Sequence, residues 1–140
     1  MNTRTFAITA GVIYLLVGIL GFVPGAVAAP PADAPNMAVH HNYGYLLGLF
    51  PVNTPHNLVH LLIGVWGIAS YKTWGAAKSF AAGLAILYAL LAVAGIIPGL
   101  NTTFGLIPLW GHDIWLHALT ALVAGYFAWG VRRPVTTTAA

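Results

Sequence analysis

The stretch GVIYLLVGILGFVPG (11–25) decides the fold, because it has a twin in AILYALLAVAGIIPG (85–99). At a constant offset Tyr14 matches Tyr88, Gly21 matches Gly95, and the closing pair Pro24-Gly25 matches Pro98-Gly99. Each copy is an apolar run carrying small residues at helical spacing, the pattern of a helix that packs closely against a neighbour in an apolar solvent. A second alignment follows downstream, LFPVNTPHNLVHLL (49–62) with LIPLWGHDIWLHAL (106–119), pairing Pro51 with Pro108 and His60 with His117. The unit that repeats is therefore a pair of apolar segments, and the two copies differ mainly in the length of the connection between them.

Composition sets the solvent. The 140 residues are 59% hydrophobic and 5% charged, with a mean hydropathy of +0.85, outside the range of a soluble domain with a wetted surface. Apolar runs at 5–23, 56–71, 79–97 and 112–131 are each long enough, at about 1.5 Å per residue, to cross most or all of a hydrocarbon core. The expected fold class is an all-α membrane protein, a single domain of four transmembrane helices built from two parallel helical-hairpin repeats. An N-terminal signal peptide is the competing account of the first run, and the existence of its twin at 85–99 argues against it.

Charge gives the orientation. Arg4 precedes the first run, Lys72 and Lys78 bracket the link between the second and third, and Arg132 and Arg133 follow the fourth, so all five basic residues fall on one side. The positive-inside rule makes that side cytoplasmic. The expectation is a multi-pass protein of the plasma (inner) membrane, with both termini cytoplasmic and with outer loops at 24–55 and 98–111. The first of these is long and begins with Ala and Pro in GAVAAPPADAP (25–35), and YGYLLGLF (43–50) reads as apolar enough to lie on the membrane interface or dip into the bundle. The net charge of +3 is too dispersed for nucleic acid, which is excluded as a partner. The expected partners are the lipid bilayer and, through the small-residue faces, further copies of the chain or a larger membrane complex.

The chemistry lies at the outer ends of the second and fourth helices. His56 and His60 are four residues apart, so they share a helix face at the spacing by which two imidazoles hold one metal. Asp113 and His117 repeat that spacing, whereas His112 and His117 diverge by about 140° around the axis. The repeat sets HNLVH (56–60) against DIWLH (113–117), which nominates His56, His60, Asp113 and His117 as a metal-ligand quartet. Asp113 is the one acid of the two in the chain that falls in a span, and a carboxylate there costs roughly 2.5–3.5 kcal/mol at a helix centre on insertion scales. Three imidazoles and a carboxylate suit Zn, Fe, Mn or Cu(II), while the lack of cysteine speaks against Cu(I).

Other roles for these residues stay open at this level. His60 and His117 could instead be the axial ligands of a haem, or Asp113 could cap the fourth helix while the histidines hydrogen-bond between helices. A proton relay or a cofactor-free structural or accessory subunit are further readings. His112, His40 and His41 are accessory ligand candidates, and Asn57 is a candidate for orienting an imidazole. Thr54 is the expected N-cap of the second helix, with Pro55 at its first position. Residue types leave open whether the site is catalytic.

The stretch GYLLGLFPVNTPHNLVHLLIGVWGIAS (44–70), followed by GLIPLWGHDIWLH (105–117), resembles a bacterial family of small four-helix membrane proteins catalogued as domain of unknown function 4383. The resemblance covers nearly the whole chain, and FPVN with HNLVH is its most specific part. It implies an integral membrane protein of bacterial, often actinobacterial, type with these histidines as family features, and it implies no activity.

Overall fold

In the computed structural model, which describes residues 1–133, four helices run between two differently built ends. Helix α1 spans Thr3–Leu20, α2 Thr54–Ser70, α3 Trp74–Gly95 and α4 His112–Gly125. The helices α1 and α3 are long and apolar enough to cross a membrane, while α2 and α4 have 17 and 14 residues. The helical rod of α4 is prolonged by a π-helical turn, Tyr126–Gly130, closed by a bond from the Val131 amide to the Tyr126 carbonyl at 3.2 Å. An unbroken α-helix to residue 131 was expected. The wider turn carries Phe127 and Ala128 into the core, where the Phe127 ring stacks on Phe6 at 4.6 Å.

Local chemistry explains where the helices begin. Asn2 caps α1 by accepting from the Thr5 amide, and Thr73 caps α3 by accepting from the Ala76 amide. Asn53, and not Thr54, caps α2, accepting from the His56 amide at 3.1 Å. Thr54 is displaced from that role by His41, with its Oγ1 donating to the His41 carbonyl at 3.0 Å. Satisfying one orphan amide at a helix start is worth about 1 kcal/mol.

The helices pack as two hairpins, α1 with α2 and α3 with α4, joined through α1 against α3. Small residues make the approach close: Ala7, Ala77, Ala81, Ala124 and Ala128 are fully enclosed around Phe80. At the contact of α1 with α2, a Cβ on Gly21 would collide with the Asn57 side chain, and at the contact of α3 with α4 one on Gly95 would collide with the Leu109 carbonyl and with Ile114 Cγ1 at 2.9 Å. These two glycines occupy matching places in the aligned segments. Outward from this core the helices expose apolar side chains, Leu62, Leu90, Leu122 and Trp129 among them, each more than half exposed.

At one end, Arg4 Nε donates to the Tyr71 carbonyl at 2.7 Å and Thr3 Oγ1 to the Phe127 carbonyl at 3.0 Å. The start of α1 therefore lies beside the ends of α2 and α4, and all five basic residues gather at this end. The opposite end is closed by a structure that differs from expectation. Within the segment 24–55, expected as an outer loop, strands β1 (Val27–Ala28), β2 (Gly44–Leu46) and β3 (Phe50–Val52) form an antiparallel sheet in the order β1-β2-β3. Leu46 pairs with both Val27 and Phe50, and the chain reverses at Leu47 and Gly48, both at positive φ.

The sheet is tied to the second connection as well. Asn53 Nδ2 donates to the Leu106 carbonyl at 2.8 Å and to the Val39 carbonyl at 3.2 Å, the Ala38 amide donates to the Gly105 carbonyl at 2.9 Å, and Trp110 Nε1 donates to the Tyr45 hydroxyl at 2.9 Å. The two connections thereby interlock into one layer over the helix ends, which buries Leu46, Val52 and Leu109.

Candidate metal centre

Beneath this layer, the first turns of α2 and α4 face each other. Because the strand β3 runs straight into the cap residue Asn53, the position of the sheet sets the depth and rotation of His56. Gly111, with φ 66°, turns the chain into α4 so that its second residue, Asp113, points inward. The side chains of His56, Asp113 and His117 meet: each offers a ligand atom, and these atoms all lie within 4.8 Å of one another. All three are buried, at 4%, 2% and 3% exposure.

His60 lies one turn deeper on α2. Its ring is 4.5 Å from that of His56, and the His56 ring is in turn 6.5 Å from that of His117. The close three-residue cluster therefore contains three members of the nominated quartet, and His60 flanks it. Two tyrosines complete the surroundings, Tyr14 against His60 at 5.5 Å and Tyr88 edge-on to His117 at 5.0 Å, with 5.7 Å between the two phenol rings. Each tyrosine thus stands on the histidine of its own half of the alignment. The sequence reads Tyr14 and Tyr88 as equivalent mid-membrane residues that hydrogen-bond across helices; only the structure places them at the border of the site.

The polar atoms of the cluster are left without internal partners. Nδ1 of His56, His60 and His117 and Oδ2 of Asp113 are buried with no hydrogen-bond partner, four of the six such side-chain atoms among the described residues. A buried unsatisfied polar group costs about 1–3 kcal/mol, so four in one place are an expense that internal packing does not offset. Asp113 does not cap α4, whose start has no side-chain cap, which removes the capping role considered for it.

The accessory candidates lie elsewhere. His112 is exposed at the surface and accepts at Nδ1 from Trp115 Nε1 at 2.9 Å. His41 pairs through Nδ1 with Thr54 Oγ1 at 2.7 Å, and His40 sets its ring edge-on to Tyr43 at 6.4 Å. Asn57 turns away from the imidazoles toward α1, where its Nδ2 donates to the Gly21 carbonyl at 2.9 Å. It joins two helices rather than orienting a ligand, since helical rotation puts it about 100° from His56.

A cavity of about 360 Å³ adjoins the cluster. The histidines, Asp113, the two tyrosines and Thr120 supply its polar part, and the rest of its wall is apolar, from Phe6 and Leu84 deep in the core to Leu46 and Phe50 of the sheet. The sites of ionisable groups, an adjoining concavity and unpaired ligand atoms coincide here, as they do in binding sites.

A His/Asp/His cluster of this kind could hold a metal ion. No curated protein and no solved structure matches the chain. A family model described as a domain of unknown function (DUF4383) matches residues 4–130, and the chain belongs to that family.

Proposed function

We propose that this chain is a four-span protein of the bacterial inner membrane that binds a transition-metal ion near the outer leaflet through His56, Asp113 and His117. The observation that carries this reading is the convergence of three ligand side chains, each with an unpartnered polar atom, in a buried, otherwise apolar place. Around a tetrahedral ion at about 2.1 Å, neighbouring ligand atoms stand about 3.4 Å apart. Side-chain movements of about 1 Å would draw the three groups to that spacing. Two imidazoles and one carboxylate suit Zn²⁺, Fe²⁺ or Mn²⁺ and leave a coordination position for an exogenous ligand. An ion there would act as a Lewis acid or activate a bound water.

His60 is proposed as the fourth group of the site, from its contact with the His56 ring and its unpartnered Nδ1. A bis-His haem is the weaker cofactor reading. It would use His60 and His117 and leave His56 and Asp113, which sit between and beside them, without a role. The four-span, twofold-repeated architecture is supported by the matched contacts of Gly21 with Asn57 and Gly95 with Ile114, and by the two matched Tyr-His pairs. The gathering of Arg4, Lys72, Lys78, Arg132 and Arg133 at one end supports cytoplasmic termini.

Elemental analysis of detergent-purified protein tests the reading. About one equivalent of metal is expected in the parent protein, with loss in His56→Ala, Asp113→Ala or His117→Ala and a smaller decrease in His60→Ala. Metal-free protein that takes up no Zn²⁺, Fe²⁺ or Mn²⁺ would overturn it, and a Soret band would move the assignment to haem.

A further inference from the structure

We infer that the cavity beside the His/Asp cluster binds a membrane-dissolved, electrically neutral molecule of the quinone or quinol class, entering sideways between α1 and α4. The inference rests on the membrane placement proposed above and not on a metal being bound.

The route is set by helix packing. Helix α1 lies along α2 and against α3, and α4 lies along α3, while α1 and α4 touch only slightly, where α1 meets the π-turn and where the Tyr14 hydroxyl reaches Thr120. At the π-turn the Phe6-Phe127 stack closes the gap. At the other end Leu46, Phe50 and Val52 of the sheet wall it off. Between these stops the cavity reaches side chains that are also well exposed, Ile13 at 53% and Leu20 at 39% on α1, and Leu119 at 50% and Val123 at 40% on α4. The opening therefore faces the apolar flank of the helices, where a lipid-dissolved molecule arrives without crossing water.

The chemistry of the wall restricts the occupant. The apolar part takes a hydrocarbon chain, while the inner part is bordered by three imidazoles, two phenols, the Thr120 hydroxyl and a carboxyl group, with Nδ1 of His60 and His117 buried and unpartnered behind that wall. Such a set asks for a head with oxygens that accept from N–H or O–H and, when reduced, donate to imidazole nitrogen. A bare acyl chain offers these groups nothing. An anionic head, a fatty acid or a phospholipid phosphate, would meet Asp113 with no fixed cation beside it, because every Lys and Arg of the chain lies at the opposite end. A flat oxygenated ring also fits the rings of Tyr14, Tyr88, His60 and His117 that border the space. A volume of about 360 Å³ lies within the range of roughly 300–1,000 Å³ usual for ligand pockets, with any longer tail passing out into lipid.

The test is equilibrium binding of tritiated decyl-ubiquinone to the full chain in phosphatidylcholine nanodiscs, with metal content measured on the same samples. Saturable binding of one molecule per chain is expected. Affinity should fall about tenfold or more, the equivalent of 1.4 kcal/mol, in Leu116→Trp, which fills the cavity, and in His60→Leu, which removes a partner of the head. Thr120→Phe fills the cavity from a second position should Leu116→Trp fail to fold, and Leu122→Trp, outside the cavity, should bind like the parent. Absence of saturable binding, unchanged affinity in both folded cavity-filling variants, or displacement by oleate as effective as by unlabelled decyl-ubiquinone would each overturn the inference. Metal retained without quinone binding overturns this inference alone, and quinone binding in protein that takes up no metal overturns the metal reading alone.

Discussion

Replacing Asp113 by Leu should make the metal-free protein more stable and the metal-loaded protein less so. Asp113 is 2% exposed and its Oδ2 has no partner, so in the absence of a cation it carries an unsatisfied-group cost of about 1–3 kcal/mol. Leucine at the same place has no polar atom to satisfy and keeps the branched outline, with its larger methyl groups directed at the adjoining cavity that Asp113 lines. For a chain of this size 1 kcal/mol corresponds to roughly 2–4 °C in the midpoint, so the variant should unfold roughly 2–12 °C above the parent in EDTA. Adding metal at a thousandfold excess over its dissociation constant should raise the parent by about 4.1 kcal/mol and leave the variant unmoved, so that the order of the two proteins reverses. Thermal unfolding of both proteins in one detergent, with EDTA and with Zn²⁺ or Mn²⁺, reads all four states. A variant less stable than the parent in EDTA would refute the reasoning, because it would mean that the carboxyl group is bonded within the protein and serves the fold.

Other outcomes follow from the same geometry. Gly21→Ala should destabilise by about 1–3 kcal/mol, the usual cost of overpacking, because its Cβ would collide with the Asn57 amide; Gly95→Ala should cost a similar amount, and a neutral result in thermal unfolding at either position would deny the close helix contact. Asn53→Ala removes the cap of α2 and two bonds to the Val39 and Leu106 carbonyls, so a loss of about 2–4 kcal/mol is expected, with faster proteolysis in 24–55 as a second readout. His112→Ala and His41→Ala should leave metal content at the parent level, since both side chains are engaged at the surface. In intact cells, a membrane-impermeant maleimide should label Asn36→Cys and not Lys72→Cys, and the opposite pattern would invert the orientation.

The amino-acid sequence by itself determined the helices, because their apolar runs are long and the start of the second carries Thr and Pro. It also determined which side chains share a face: a spacing of four brings His56 with His60, and Asp113 with His117, whatever surrounds them. Tertiary structure decided the rest. The sheet could not be read from strands of two and three residues, since pairing Val27 with Leu46 depends on a chain reversal between distant residues and not on local propensity. That sheet set Asn53 at the cap in place of Thr54, turned Asn57 toward Gly21, and fixed the rotation of α2 against α4. Rotation between helices is a property of packing, and it is what drew His56, Asp113 and His117 within 4.8 Å of one another while leaving His60 at the flank, beside a cavity that exists only because α1 and α4 stand apart.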